Sequence, residues 1–202
     1  MMDKALFLDR DGIINVDHGY VFQKENFEFV DGIFDLCQKA SALGYKIIVI
    51  TNQAGIARGY YNEADFLTLT AWMKAEFEKQ NIHILDVFYC PHHPDKGVNE
   101  FGVKCDCRKP APGMIIQAQQ KHRLTLHDSV LIGDKVSDMN AAKNAGISQR
   151  ILVSSQYHQE NIGITGINSS IKNKLKDIST ENKKIELQFN TVTLLRDAIE
   201  LL

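Results

Sequence analysis

Ala5-Leu6-Phe7-Leu8-Asp9-Arg10-Asp11-Gly12 is the stretch that decides how this chain folds. Four successive apolar residues predict a strand buried in a parallel sheet. The strand stops on a carboxylate, a second carboxylate follows two positions later, and Gly12 permits a tight turn. In an open α/β sheet, ligands bind beyond the carboxyl ends of the strands. Two carboxylates this close repel, and one rises in pKa unless a cation holds both ionised. The arrangement points to a divalent cation, most simply magnesium, which takes hard oxygen ligands. A strand that merely ends in a polar turn would use the same residue types, so the remainder of the chain has to decide.

The chain has 202 residues, 44% of them hydrophobic, and a net charge of −2. That length fits one domain with a small addition and a core that needs no staples. The charge gives no reason to expect nucleic acid or an anionic membrane as partner. No long apolar run and no leader pattern is present, which predicts a soluble, cytoplasmic protein. Of the four cysteines, Cys37 stands alone, whereas Cys90, Cys105 and Cys107 share one window. In a reducing compartment that clustering favours a metal over disulfides.

Outward from the first strand, Ile13 to Val30 reads as a long functional loop, with room for a short hairpin. Ile33, Phe34, Cys37, Ala40 and Leu43 recur at helical spacing and Gly44 ends that helix. Cys37 lies on the apolar stripe and is a core residue. Tyr45 to Ile50 is a second strand, ending at Thr51-Asn52-Gln53. Asn62 caps a helix whose stripe is Phe66, Leu69, Met73 and Phe77, with Trp72 as packing. Leu85 to Tyr89 is a third strand that runs into Cys90. Residues 90 to 113 form a structured loop, followed by a helix over Met114 to His122. Ser129 to Gly133 is a fourth strand ending at Asp134, Ser137 to Ala145 a helix closed by Gly146, and Arg150 to Val153 a fifth strand.

This alternation predicts an α/β, Rossmann-like, doubly wound parallel sheet with right-handed crossovers. Residues 1–154 would be the core, with a metal-binding loop at 90–107. Residues 155–202 would be a polar tail segment and a terminal helix over Thr191 to Leu202, packing on the same domain.

The strand ends carry Asp9 with Asp11, Thr51 with Asn52, the loop cations Arg108 and Lys109, and Asp134 with Asp138. Together they supply a nucleophile, an acid/base, donors for phosphoryl oxygens, a cation and a magnesium site. In the second cluster, Cys90-x-His92 and Cys105-x-Cys107 give three thiolates and one imidazole. That is a tetrahedral zinc set with no open position, hence structural. His93 is the alternative to His92.

These motifs resemble the haloacid dehalogenase-like phosphohydrolases. The likeness rests on Asp9-Arg10-Asp11-Gly12, Thr51, Lys109 and Gly133-Asp134-Lys135-Val136-Ser137-Asp138, in order across about residues 4 to 153. It implies that Asp9 forms an aspartyl-phosphate, that Asp11 is the acid/base, and that Thr51 and Lys109 hold the transferring group. Magnesium would sit on Asp9, Asp11 through its backbone carbonyl, and Asp134, while Asp138 either stands behind these ligands or caps the following helix, the cap being the preferred reading. Asp17-His18-Gly19-Tyr20, the run through Thr51, Asn52, Gln53 and Ala54, and the zinc motif before Arg108 narrow the likeness. They resemble a capless subgroup acting on heptose bisphosphate or on histidinol phosphate. By that resemblance Asp17, His18, Gly19, Tyr20, Thr51, Asn52, Gln53, Ala54, Arg108, Lys109 and Lys135 contact the substrate, a small sugar phosphate, and the protein is expected to be a monomer. Arg108 would grip a second phosphate, or else pair with an acid such as Asp106.

Two other classes fit less well. A receiver-like signalling domain carries its phosphate-accepting Asp at the end of the third strand, where this chain has Cys90. A non-catalytic, zinc-stabilised interaction protein has no need of Asp9, Asp11, Thr51, Lys109 and Asp134 together.

Overall fold

The computed structural model describes residues 3–154 and 189–202. Strands β1 (Lys4–Leu8), β2 (Tyr45–Asn52), β3 (Ile84–Cys90), β4 (Val130–Gly133), β5 (Gln149–Val153) and β6 (Asn190–Val192) form one sheet in the order β3-β2-β1-β4-β5-β6. Every neighbouring pair is parallel. Between the strands run α1 (Ile33–Ala42), α2 (Ala54–Ala57), α3 (Glu63–Lys79), α4 (Gly113–His122) and α5 (Val136–Ala145).

The chain builds outward from β1 to β3 and then returns to place β4 against the other side of β1. The strand order therefore reverses between β1 and β4, and a crevice opens above their carboxyl ends. Side-chain alternation divides the core in two. Leu6, Leu8, Ile47 and Val49 face α1 and α3, while Ala5, Phe7, Ile48 and Ile50 face α4 and α5. With helices on both faces, the central strands are apolar throughout rather than alternating.

Local chemistry sets the helix bounds. Asn62 Oδ1 accepts from the Asp65 N–H and the Asp65 carboxylate accepts from the Asn62 N–H, both at 2.9 Å, which closes a reciprocal cap on α3. Phe66, Leu69, Met73 and Phe77 are all buried. Trp72 meets Phe27 edge-on at 5.3 Å. Cys37 is fully buried, and burial pushes its thiol up to about 12.

Residues 13–30 return on themselves through Val16 N–H to Glu28 O (2.8 Å) and Val30 N–H to Ile14 O (3.0 Å), so the loop contains a short antiparallel return. The C-terminal end differs from expectation. Of the terminal helix expected over Thr191 to Leu202, the first residues instead form β6 beside β5, and the helix that follows is of 3-10 type, Leu195–Leu201. Three residues of strand are too few to show a period of two. Leu195 and Ala198 pack into the core beside α1. The polar segment from 155 to 188 lies outside the described residues. Among the described residues, no helix is long and apolar enough to cross a membrane.

Candidate active site

The carboxyl ends of β1 and β4 set Asp9 and Asp134 side by side at the point where the strand order reverses. Gly12, with φ +93°, makes this approach possible, because a Cβ there would stand 2.5 Å from Asp134 Oδ2. Asp9 Oδ1 accepts from the Arg10 N–H at 2.7 Å and lies 2.9 Å from Lys109 Nζ. Lys109 enters from the loop before α4. Its Nζ also donates to Ile50 O at 3.0 Å and meets Asp138 Oδ1 at 2.6 Å. Asp138, in the first turn of α5, accepts the Lys135 N–H on its other oxygen at 3.0 Å. Asp138 is thus the expected cap and also the buried partner of the lysine, a second role that spacing could not reveal.

Charge at this point is finely balanced. Burial pushes Asp9 up to about 7, against the pull of Lys109. Burial also raises Asp134, with Lys135 pulling the other way at 3.3 Å. Burial would lower the lysine, but Asp9 and Asp138 outweigh it and Lys109 stays charged. Carboxylate oxygens of Asp9, Asp134 and Asp138 lie within 4.8 Å of one another. Both Asp138 oxygens are already engaged, so Asp9 and Asp134 are the pair suited to a hard divalent cation.

Asp11 borders the same cavity with a separate set of partners. Its carboxylate accepts from Arg10 Nη2 (2.8 and 3.0 Å), Asn15 Nδ2 (3.1 Å) and Gln53 Nε2 (3.0 Å). Burial alone would raise its pKa. The Arg10 guanidinium, with the two amides, holds the carboxyl below the usual carboxylate range instead. Arg10 is itself 1% exposed and donates to Val21 O at 2.7 Å, tying the first motif to the loop after it.

A cavity of ≈ 340 Å³ opens above these groups, lined by Asp9, Asp11, Asp17, Gly19, Tyr20, Asn52, Gln53, Ala54, Tyr61, Lys109, Lys135, Ser137 and Asp138. The structure thus gathers most of the residues singled out in the sequence, and separates a few. His18 turns aside to Glu28 at 3.1 Å and lines an adjoining groove. Thr51 is buried and bonded to Gln53 Nε2 at 2.7 Å. Asn52 bonds both the N–H and the carbonyl of Lys109 (3.0 and 3.1 Å), fastening that loop to β2. Arg108 donates to His92 O at 3.1 Å rather than to an acid.

The sulfur cluster closes on itself. The Sγ atoms of Cys90, Cys105 and Cys107 are 3.1 to 3.5 Å apart, and His92 Nδ1 is 3.4 Å from Cys107 Sγ and 3.7 Å from Cys90 Sγ. These separations are too long for a disulfide. One imidazole and three thiols converging in this way fit a tetrahedral zinc ion. His93 lies outside the group, its Nδ1 accepting from the backbone N–H groups of Asp95 and Lys96.

Arg10 and Tyr61 are the site residues that sequence reasoning passed over. A signal for Arg10 existed, since a cation set between two acids at the end of a buried strand needs a partner. For Tyr61 the short gaps of a capless chain placed its loop, Gly55 to Tyr61, at the pocket, but did not reveal the bond of its hydroxyl to Gln53, which forms only after α2 folds back.

Comparison with known proteins agrees with this geometry. A family model described as HAD-hydrolase-like matches residues 106–165. The chain is 52% identical over 153 residues to D-glycero-alpha-D-manno-heptose-1,7-bisphosphate 7-phosphatase of Burkholderia mallei, covering 76% of this chain and 81% of that one. It is 47% identical over 149 residues to D-glycero-beta-D-manno-heptose-1,7-bisphosphate 7-phosphatase of Escherichia coli, covering 74% of this chain and 78% of that one. The crystal structure of D,D-heptose 1,7-bisphosphate phosphatase from B. bronchiseptica, complexed with magnesium and phosphate, superposes with a TM-score of 0.73 over 98% of this chain and 97% of its own, at 24% identity. That likeness is one of fold. The chain belongs to the haloacid dehalogenase-like phosphatase family. Within that family, the relatives named above are heptose bisphosphate phosphatases.

Proposed function

We propose that this enzyme removes the 7-phosphate of D-glycero-D-manno-heptose 1,7-bisphosphate, with magnesium, through an aspartyl-phosphate on Asp9. The observation that carries this reading is the meeting of Asp9, Asp11 and Lys109 on one cavity wall. The relatives' names favour heptose bisphosphate over histidinol phosphate as the substrate.

Asp9 is the nucleophile. Its Oδ1 is engaged by Arg10 and Lys109, so Oδ2 is the oxygen assigned to the attack on phosphorus. Lys109, kept charged by Asp9 and Asp138, balances the charge that builds on the phosphoryl oxygens. Asp11, whose carboxyl is held low in the free site, would take up a proton as the phosphate dianion binds beside it, give that proton to the departing sugar oxygen, and take one back from the water that cleaves the acyl phosphate. Asp9, Asp134 and the backbone carbonyl of Asp11 would hold magnesium, which when bound offsets the repulsion between the carboxylate and a phosphate dianion. Asp17, Gly19, Tyr20, Gln53, Ala54 and Lys135 would border the sugar, and Arg108 with Lys135 would serve the phosphate at the other end. Cys90, His92, Cys105 and Cys107 would hold structural zinc and so set the loop that delivers Lys109.

The test is phosphate release from the α and β anomers of heptose 1,7-bisphosphate, with histidinol phosphate alongside, in magnesium and in EDTA. Magnesium-dependent release from one or both anomers, at least tenfold faster than from histidinol phosphate, is the expected result. Faster turnover of histidinol phosphate would overturn the substrate and keep the chemistry.

A further inference from the structure

The general acid and the residue beneath it are joined by a single amide. Gln53 is 1% exposed and makes hydrogen bonds at both ends of its side chain. Its Nε2 lies 3.0 Å from Asp11 Oδ2 and 2.7 Å from Thr51 Oγ1, and its Oε1 accepts from the Tyr61 hydroxyl at 2.5 Å. A carboxylate can only accept, so the nitrogen has to face Asp11. An amide nitrogen has two protons, and these two contacts use both. The phenol then meets the amide oxygen as a donor, and burial, raising its pKa, keeps that proton in place.

Tyr61 is 7% exposed and comes from the turn after α2. It is held from two sides. Its ring stacks on Phe22 at 5.1 Å, and it lies so close over Gly55 that a Cβ there would be 2.1 Å from Tyr61 Cε1. The glycine of the Thr-Asn-Gln-x-Gly run thus has a role besides its backbone freedom, since it clears the space in which the phenol reaches Gln53.

We infer that Tyr61 is a positioning residue for the general acid, holding the Gln53 amide in the orientation that aims the Asp11 carboxyl at the leaving-group oxygen. The inference rests on the acid/base role proposed for Asp11. It separates Tyr61 from residues that merely shape the cavity, because a group acting through the acid matters only when the leaving group needs a proton. An alkoxide departing from a sugar carbon needs one, whereas a nitrophenolate does not.

The experiment is kcat/KM for Tyr61→Phe against wild type, with heptose 1,7-bisphosphate as the alkyl ester and p-nitrophenyl phosphate as the aryl ester, both in magnesium. The ratio kcat/KM covers the steps through departure of the leaving group. For the alkyl ester we expect a fall of about fivefold to tenfold, a modest share of what a positioned acid contributes, and for the aryl ester less than about twofold. Phe keeps the stack on Phe22 but leaves the buried Gln53 Oε1 without its donor, so the protein should stay folded with a thermal midpoint about 5 °C below that of wild type. Gly55→Ala, which pushes the ring away, should show the same alkyl-selective loss. Equal losses on both esters, or none on either, would overturn the inference while wild-type activity upheld the proposed function. A wild type that cleaves neither ester would overturn both.

Discussion

Two clusters of metal-binding character lie within one loop's reach of each other, and they are built on opposite principles. Asp9, Asp134, Asp138 and Lys109 stand where strands end or are drawn beneath the sheet edge. Their places follow from the hydrogen-bonded ladder that aligns β1, β2 and β4, so the backbone is settled before any ion arrives. The sulfur cluster stands on a segment whose middle, residues 95–104, is largely exposed and contributes little to the core. Its four side chains converge from two short segments, Cys90 to His92 and Cys105 to Cys107. The first cluster is a preorganised site that stores electrostatic strain. The second would, with an ion bound, staple a loop that is otherwise held by scattered hydrogen bonds such as Val98 N–H to Ala57 O at 2.8 Å. Lys109, two residues beyond Cys107, belongs to both.

The contrast can be broken most sharply at Asp9. Asp9→Asn should lower kcat by about a thousandfold or more, since the nucleophile is lost, while the thermal midpoint holds or rises. Steady-state kinetics beside calorimetry reads both, and a large fall in stability would mean that the acid cluster is structural after all. Asp138→Asn comes next. It leaves Lys109 with one carboxylate fewer in a buried setting and should destabilise the fold by about 3 kcal/mol, measurable by urea denaturation.

Cys105→Ser tests the staple. A drop of about 5 °C or more in thermal midpoint is expected, with new proteolytic cleavage between residues 91 and 108 and reduced activity through Lys109. An unchanged cleavage pattern would show that the loop holds itself.

A smaller effect concerns pH. The folded-state pKa of Asp9 is raised to about 7 from 3.8, so without metal its contribution favours folding at low pH and is lost as pH rises through that window. A cation on Asp9 and Asp134 reverses this. Magnesium should therefore raise the thermal midpoint more at pH 8 than at pH 5. Asn62→Ala, which removes a ligand of neither cluster, should cost only about 1 kcal/mol through its cap.

Strands β1 to β5 could be read along the chain because strands of a parallel sheet covered on both faces appear as short apolar runs between polar turns. The stripe of α3 and its Asn62 cap were equally plain, being local in origin. β6 was hidden in three residues, and the terminal 3-10 helix followed from its docking beside α1. At the site, carboxylates at strand ends stood out because the chain has little structural use for two acids there. The second role of Asp138, the inward course of Lys109 and the turn of His18 toward Glu28 did not show, since each depends on a partner brought close only by folding.

Sequence alone determined the parallel α/β architecture, the acidic strand end and the thiol–imidazole set, because hydrophobic period, turn chemistry and ligand spacing are local properties of the chain. The tertiary structure alone decided which charges meet. Asp9 faces Asp134 because β4 returns to lie against β1. Lys109 neutralises Asp9 and Asp138 because its loop passes beneath the ends of β1 and β2. The Asp11 carboxyl is held below the usual carboxylate range because Arg10, Asn15 and Gln53, itself bonded to Tyr61, converge on it from separate parts of the chain. Electrostatic balance in a buried site is set by distances between residues far apart in sequence, and those distances exist only in the folded molecule.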